Sequence, residues 1–296
     1  AAALQLQFAY AAGIITLLTI QDTKKETVRI TAKRMIIFVI MTILSAVIFP
    51  LAGYHVWAFG IVLIPYLFSC MALDMKEAIA PIAVLCTHYV SAKSCSSSMI
   101  LNEFLILVIG AGIGTLWNLY MTDGRRQLLD YQKTVDDKIV YILRRMAIYI
   151  ELEDKTDYTG SCFDELDAML VNLKKEALRY MNNHLITEDD YYYEYMQMRA
   201  RQCVILKRIY ADIIRLTTTP EQGKALADFI RQTADEFAEQ NNVETLLSEL
   251  ERLHHHYEQQ QLPVTRQEFE NRSMLYHILE DMKAFLDIKK DFITAR

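Results

Sequence analysis

Apolar residues gather into five long runs in the first part of the chain, and the second part lacks such runs. The runs cover residues 3–20, 35–53, 56–73, 78–92 and 99–121. Runs near 20 residues match a hydrocarbon core of about 30 Å, because a helix rises about 1.5 Å per residue. We therefore predict five membrane-spanning helices within residues 1–121, of which the fourth is the shortest.

From residue 122 onward, apolar positions recur every three or four residues, as on one face of an amphipathic helix. The predicted helices are 124–153, 162–183, one capped by Thr187 with Asp190, one from Thr219-Pro220 to near Asn241, one over 243–253, and one capped by Thr265 with Glu268. Strand-like alternation is absent from the sequence. The predicted fold is all-α: a polytopic transmembrane bundle at 1–121, followed by an antiparallel helical bundle at 122–296.

Charge divides the chain at the same place. Residues 1–121 hold seven of the 31 Lys and Arg residues and five of the 37 Asp and Glu residues, a net charge of +2. The remaining 24 basic and 32 acidic residues give residues 122–296 a net charge of −8. A bilayer explains a half that is nearly free of charge. The acidic second half argues against nucleic acid as a partner, since phosphate binding needs a basic surface.

Basic residues between the first two runs predict the orientation. Lys24, Lys25, Arg29, Lys33 and Arg34 lie in a predicted loop at 21–34, which should be cytoplasmic. The protein is then a multi-pass plasma-membrane protein, with the loop at 93–98 outside and residues 122–296 in the cytosol. Five spans with the last end inside leave the first end outside, yet the chain starts with Ala1-Ala2-Ala3 and shows no initiator Met or cleavage motif. We therefore expect a sixth span that precedes residue 1, with both ends inside.

Two predicted spans contain ionisable side chains. Glu103, beside Asn102, lies about one turn into the fifth run, where a carboxylate is costly unless it faces a partner or a wet cavity. It either contributes to a transport path or extends into water at the outer interface. His88 in the fourth run is either a proton relay near neutral pH or a histidine at that same interface.

Small residues mark one face of the fifth run. Gly110 and Gly114 are four residues apart, and Asn118 follows one turn later. Small residues let helices approach closely, and an Asn can donate a hydrogen bond across the contact. We interpret this face as a helix-packing surface; the alternative is that Asn118 contributes to a substrate path.

The sequence contains none of the usual enzyme signatures. Phosphate-binding loops, nucleophile elbows and zinc-protease motifs are missing, so we predict a protein that is not an enzyme and has no cofactor. Consecutive residues on a helix diverge by about 100°, so His254, His255 and His256 cannot converge on one metal ion. The five cysteines lack metal-ligand spacing and are interpreted as free thiols.

Three stretches of the chain resemble one known family. They are residues 11–25 with their basic end, residues 76–79 followed by Thr87 and His88, and residues 110–121 with their glycines and Asn118. In their order, they resemble the aromatic acid exporters of the fusaric-acid-resistance-like superfamily, in the Gram-positive subgroup with a helical C-terminal domain. The resemblance implies six spans, in agreement with a missing first one, and proton-linked efflux of aromatic carboxylates.

These observations lead to one main functional hypothesis and two alternatives. The main hypothesis is an exporter of small organic, mainly aromatic, acids, with Glu103 or His88 carrying protons and the basic residues 24–34 attracting the anion. Residues 122–296 would regulate the membrane bundle or join copies into a homo-oligomer. The alternatives are a passive anion channel and a membrane-anchored interaction protein that acts through its helical domain.

Overall fold

All regular structure in the described residues is helical, which confirms the predicted all-α fold. The computed structural model describes residues 1, 5–120, 124–183, 190–217, 221–237 and 243–295, without the side chains of residues 221 and 222. The chain divides into two compact units. Unit 1 is Ala1–Asp123 with Asn182–Glu188, and unit 2 is Gly124–Met181 with Asp189–Arg296.

Unit 1 contains five α-helices in its described residues. They are α1 (Ala11–Thr19), α2 (Lys24–Ala52), α3 (Val56–Ala72), α4 (Ile79–Ala92) and α5 (Ser97–Leu119), with a 3₁₀ turn at Lys76–Ala78 before α4. Helix α1 packs mainly on α5, and α2 packs on α3, α4 and α5. Their buried apolar side chains form one continuous core, which includes Ile15, Ile37, Tyr66 and Ile106.

The first helix is shorter than predicted. We expected a helix over residues 3–20, whereas α1 begins at Ala11 and the described residues before it form turns. Gln5 and Phe8 there have positive φ angles of 52° and 57°, which a continuing right-handed helix excludes.

The predicted basic loop at 21–34 is wrong, because most of it belongs to a helix. Helix α2 begins at Lys24, so Lys24, Lys25, Arg29, Lys33 and Arg34 all lie on its first turns. The physical reason is a capping signal. The Thr23 hydroxyl accepts a hydrogen bond from the backbone N–H of Glu26 at 3.4 Å, which supports the helix start.

Two helices of the described residues, α2 and α5, are long and apolar enough to cross a membrane, and α3 is apolar but shorter. Less than half of the most apolar stretch of each is buried within the protein. On α2, the apolar side chains left exposed share one face: Ile36, Val39, Ile43, Val47 and Leu51. Such a stripe is unfavourable in water and ordinary against lipid. The number of spans, predicted as five, stays a prediction.

Unit 2 contains six α-helices in its described residues. They are α6 (Arg125–Glu151), α7 (Ser161–Asn183), α8 (Tyr191–Ile213), α9 (Glu221–Asp235), α10 (Glu244–Glu258) and α11 (Arg266–Thr294). Helices α8 and α11 pack closely together, as do α6 and α9. Of the predicted helix ends, the Thr265 cap is present, accepting from the N–H of Glu268 at 3.1 Å. The predicted signals at Thr187, Thr219-Pro220 and Asn241 lie outside the described residues.

A buried arginine organises the polar interior of unit 2. Arg199 on α8 is fully buried and pairs through Nε with an Asp136 carboxylate oxygen at 2.9 Å. The same guanidinium donates to the Tyr195 hydroxyl and the Gln202 side chain, and it lies 4.4 Å from the Phe237 ring centroid. Hydrogen bonds and an ion pair of this kind offset the high cost of burying a charge.

Candidate functional site

A histidine and a glutamate meet inside unit 1. His88 projects from α4 and Glu103 from α5, and Nδ1 of His88 lies 2.6 Å from Oε2 of Glu103. Their side chains are 6% and 0% exposed, so water does not screen the pair. The separation is that of a short hydrogen bond, in which the tautomer of the imidazole decides the direction of donation. Two residues that the sequence singled out separately therefore form one site.

The second oxygen of Glu103 is also occupied. The Asn102 amide donates from Nδ2 to Oε1 of Glu103 at 2.9 Å. The same amide contacts the chain ahead of α1: it accepts from the backbone N–H of Gln7 at 2.9 Å and donates to the Gln7 carbonyl at 3.1 Å. Both carboxylate oxygens are thus hydrogen-bonded, as a buried carboxylate requires.

An aromatic ring covers the imidazole. The Phe8 ring stacks on His88 with a centroid distance of 4.3 Å and an interplanar angle of 9°. Because Asn102 holds Gln7, the hydrogen bonds fix the segment that carries Phe8 next to the pair. The sequence gives no signal for this contact, which joins residues 80 positions apart.

Asn118 lies far from this pair. Fifteen residues separate it from Glu103 on α5, or about 22 Å along the helix. Its side chain is buried and donates from Nδ2 to the Gln21 carbonyl at 2.6 Å, just beyond the end of α1. The structure therefore brings Asn102, His88 and Glu103 together and keeps Asn118 apart.

The two glycines of α5 lie directly against α1. A Cβ atom added at Gly110 would meet the Ala12 carbonyl at 2.7 Å, and one at Gly114 would meet the Thr16 carbonyl at 2.8 Å. Any larger residue would push the helices apart. The close approach also lets the Thr16 hydroxyl contact the Gly110 carbonyl at 3.0 Å.

The basic residues of α2 differ in their surroundings. Arg29 is exposed, and Lys33 donates to the Asp74 carbonyl at 2.7 Å and lies 3.6 Å from the Glu77 carboxylate. Arg34, by contrast, is buried, with Nη1 on the Thr19 hydroxyl at 2.5 Å and Nη2 on the Leu18 carbonyl at 2.6 Å. The sequence pattern did not distinguish Arg34 from its neighbours.

In unit 2, two of the three consecutive histidines share a carboxylate. His254 lies 3.4 Å and His255 3.3 Å from the oxygens of Glu258, and His254 also lies 3.4 Å from Glu280. His256 contacts Gln260. Within the described residues, no group of three or more His, Cys, Asp or Glu side chains is arranged to hold a metal ion.

The chain matches two parts of one family along nearly its whole length. Residues 1–121 match the family described as "Aromatic acid exporter family member 1", and residues 125–290 match the aromatic acid exporter C-terminal domain. The "Uncharacterized protein YqjA" of Bacillus subtilis (strain 168) is 30% identical over 289 residues, or 98% of this chain and 89% of that protein.

A solved structure adds a further likeness. The crystal structure of a membrane protein from Clostridium difficile 630 is similar with a TM-score of 0.50 and 30% identity. The match covers 56% of this chain and 99% of the other. The matches along the chain show that it belongs to the aromatic acid exporter family.

Proposed function

We propose that this protein exports small organic acids, mainly aromatic carboxylates, in exchange for protons. The observation that carries the proposal is the buried hydrogen bond between His88 and Glu103. Family membership supports membrane transport in general, and the pair supports the coupling to protons.

The pair has the chemistry of a proton carrier. Glu103 is fully buried, and its hydrogen-bond partner is a histidine. A carboxyl group and an imidazole can each accept or donate a proton, so a proton can pass between the two side chains. Ionisable groups at such depth in apolar helices commonly mark ion pathways.

The orientation follows from the distribution of positive charge. The first turns of α2 are rich in Lys and Arg, and the connection at 93–98 contains only Lys93. We infer that the α2 start faces the cytosol and that the His88–Glu103 end lies toward the outside, so protons enter at that pair. Unit 2 is then cytosolic, and the protein crosses the plasma membrane several times.

Efflux from cells tests the proposal. Cells with the full-length gene are loaded with radiolabelled benzoate or p-hydroxybenzoate, and retention is followed with and without a protonophore. We expect faster loss than from cells without the gene, and we expect the protonophore to abolish the difference. Glu103→Gln keeps the shape but cannot ionise, and should lower the proton-driven rate at least tenfold.

Glu26→Gln is the matched control, because Glu26 is an exposed carboxylate of the same unit. It should leave the rate unchanged. Proton-driven efflux that survives Glu103→Gln would exclude Glu103 as the carrier. An electrical conductance that requires the organic anion but does not depend on a proton gradient would instead favour the passive anion channel.

A further inference from the structure

Arg34 is a buried cation at the opposite end of unit 1 from the His88–Glu103 pair. Its side chain is 2% exposed and lies at the end of α1, where it donates to the Leu18 carbonyl and the Thr19 hydroxyl. Thr19 is itself buried, and its hydroxyl donates to the Ile15 carbonyl at 2.6 Å. The hydroxyl thus directs a lone pair at the guanidinium.

The charge of Arg34 is not balanced by an ion pair in the part of the chain that the structure describes. Among the described residues, no carboxylate lies within ion-pairing distance of Arg34. Glu77, the acid that interacts with it electrostatically, pairs with Lys33 instead. Arg34 reaches only the backbone carbonyl of Glu77, at 3.5 Å. A buried charge without a counter-charge is costly, so its retention calls for a reason.

One donor of the guanidinium is unused. The Nε atom is inaccessible to water and has no hydrogen-bond partner. Nε and Nη2 share one edge of the guanidinium plane. Nη2 donates to the Leu18 carbonyl at 2.6 Å and makes a longer contact with the Glu77 carbonyl at 3.5 Å, which a carboxylate oxygen can replace. That edge matches the two oxygens of a carboxylate in spacing and direction.

We propose that Arg34 binds the carboxylate of the transported acid, through the Nε–Nη2 edge. Thr19 and the Leu18 carbonyl hold the guanidinium in place, and the ligand supplies the missing negative charge. The inference rests on the proposed function, and it separates two tasks. Arg34 takes the anion near the start of α2, and His88 with Glu103 handles the proton at the far end.

Binding to the purified full-length protein tests this directly. Calorimetry in detergent compares benzoate with benzamide, a neutral molecule of similar shape. Arg34→Lys keeps the charge but loses the two-donor edge, so benzoate affinity should fall at least tenfold. Thr19→Val removes the hydroxyl that orients Nη1, and we expect a smaller fall, of about threefold to tenfold.

Arg266→Lys is the matched control, since it makes the same change at an exposed position outside the basic residues 24–34. It should bind benzoate like the wild type, and no variant should bind benzamide as tightly as the wild type binds benzoate. If both Arg34→Lys and Thr19→Val bind benzoate with wild-type affinity, the role of Arg34 is overturned and the proposed function is not affected. Failure of the wild type to bind any aromatic acid would overturn the proposed substrate class, and this inference with it.

Discussion

At the scale of single residues, the buried carboxylate of Glu103 depends on its hydrogen-bond partners. A carboxylate inside an apolar run predicts a partner, because an isolated buried charge is costly. His88 and Asn102 supply the partners, one for each oxygen. The sequence indicated that Glu103 needed such contacts. It could not identify His88 as one of them, since the two residues lie on different helices.

Removing one member of the pair should destabilise the protein more than removing both. His88→Leu leaves an oxygen of Glu103 buried and unpaired, at a cost of about 3 kcal/mol. The double variant His88→Leu with Glu103→Met replaces the pair with apolar groups of similar volume and should recover much of that loss. Thermal unfolding in detergent measures the order of the melting temperatures. A double variant that melts below His88→Leu would contradict this interpretation.

Cys203 in unit 2 should resist thiol reagents in the folded protein. Burial and the nearby Asp167 carboxylate raise the pKa of this thiol from 9.0 to about 12. At pH 8 the thiolate is therefore roughly a thousandfold scarcer than for an ordinary cysteine, and the thiolate is the reactive form. Mass spectrometry after brief maleimide treatment should find Cys203 unmodified.

A cysteine placed at the neighbouring exposed position provides the comparison. Val204 is 59% exposed, so Val204→Cys should react within the same brief treatment. Unfolding the protein should make Cys203 react as fast as the introduced cysteine. Rapid labelling of native Cys203 would show that α8 opens readily at this point.

At the scale of elements, the contact between α1 and α5 depends on the absence of side chains. Gly110→Ala puts a Cβ within 3 Å of the Ala12 carbonyl and the Ile15 side chain, so the helices must separate. Overpacking of this kind costs about 1–3 kcal/mol. Gly112 lies on the same helix with no atom within 4 Å of an added Cβ. Gly112→Ala should therefore be neutral or stabilise by up to about 1 kcal/mol.

The two variants are compared by their melting temperatures in the full-length protein. Equal effects would mean that helix propensity, and not the contact with α1, decides the outcome. The glycine spacing predicted a packing face but did not name α1 as its partner. Any helix that packs against α5 presents backbone carbonyls, so the glycine spacing does not identify the partner helix, and only the packing of the unit does.

The start of α2 is where the predicted loop at 21–34 is wrong, although the sequence contains a signal for the helix start. Clustered charge suggested a loop at 21–34, but Thr23 and Glu26 have the spacing of a capping box. Recognising that signal would have started the helix at Lys24. The burial of Arg34 had no such signal, because exposed and buried arginines on one helix look alike in sequence.

At the scale of the whole molecule, each of the two units has its own buried apolar core. Unit 1 in addition leaves the apolar stripe of α2 exposed. A lipid bilayer can cover such a stripe. This difference agrees with the charge asymmetry of the sequence.

Cysteine accessibility in whole cells should report the predicted orientation. In a cysteine-free background, Ser98→Cys occupies an exposed position at the start of α5, in the proposed outer connection. Arg266→Cys occupies an exposed position in the proposed cytosolic unit. A membrane-impermeant maleimide should label the first in intact cells and the second only after permeabilisation. The reverse pattern would invert the orientation and move the proton pair to the cytosolic side.

The sequence by itself determined the helical class, the division in charge and hydropathy, and the family resemblance, because each depends on local composition and period. Only the tertiary structure decided that Glu103 pairs with His88, that Phe8 covers the imidazole, and that Arg34 is buried with its Nε lacking a hydrogen-bond partner among the described residues. These contacts join residues that are distant along the chain. Their energies arise from burial and mutual distance, which exist only once the helices have packed.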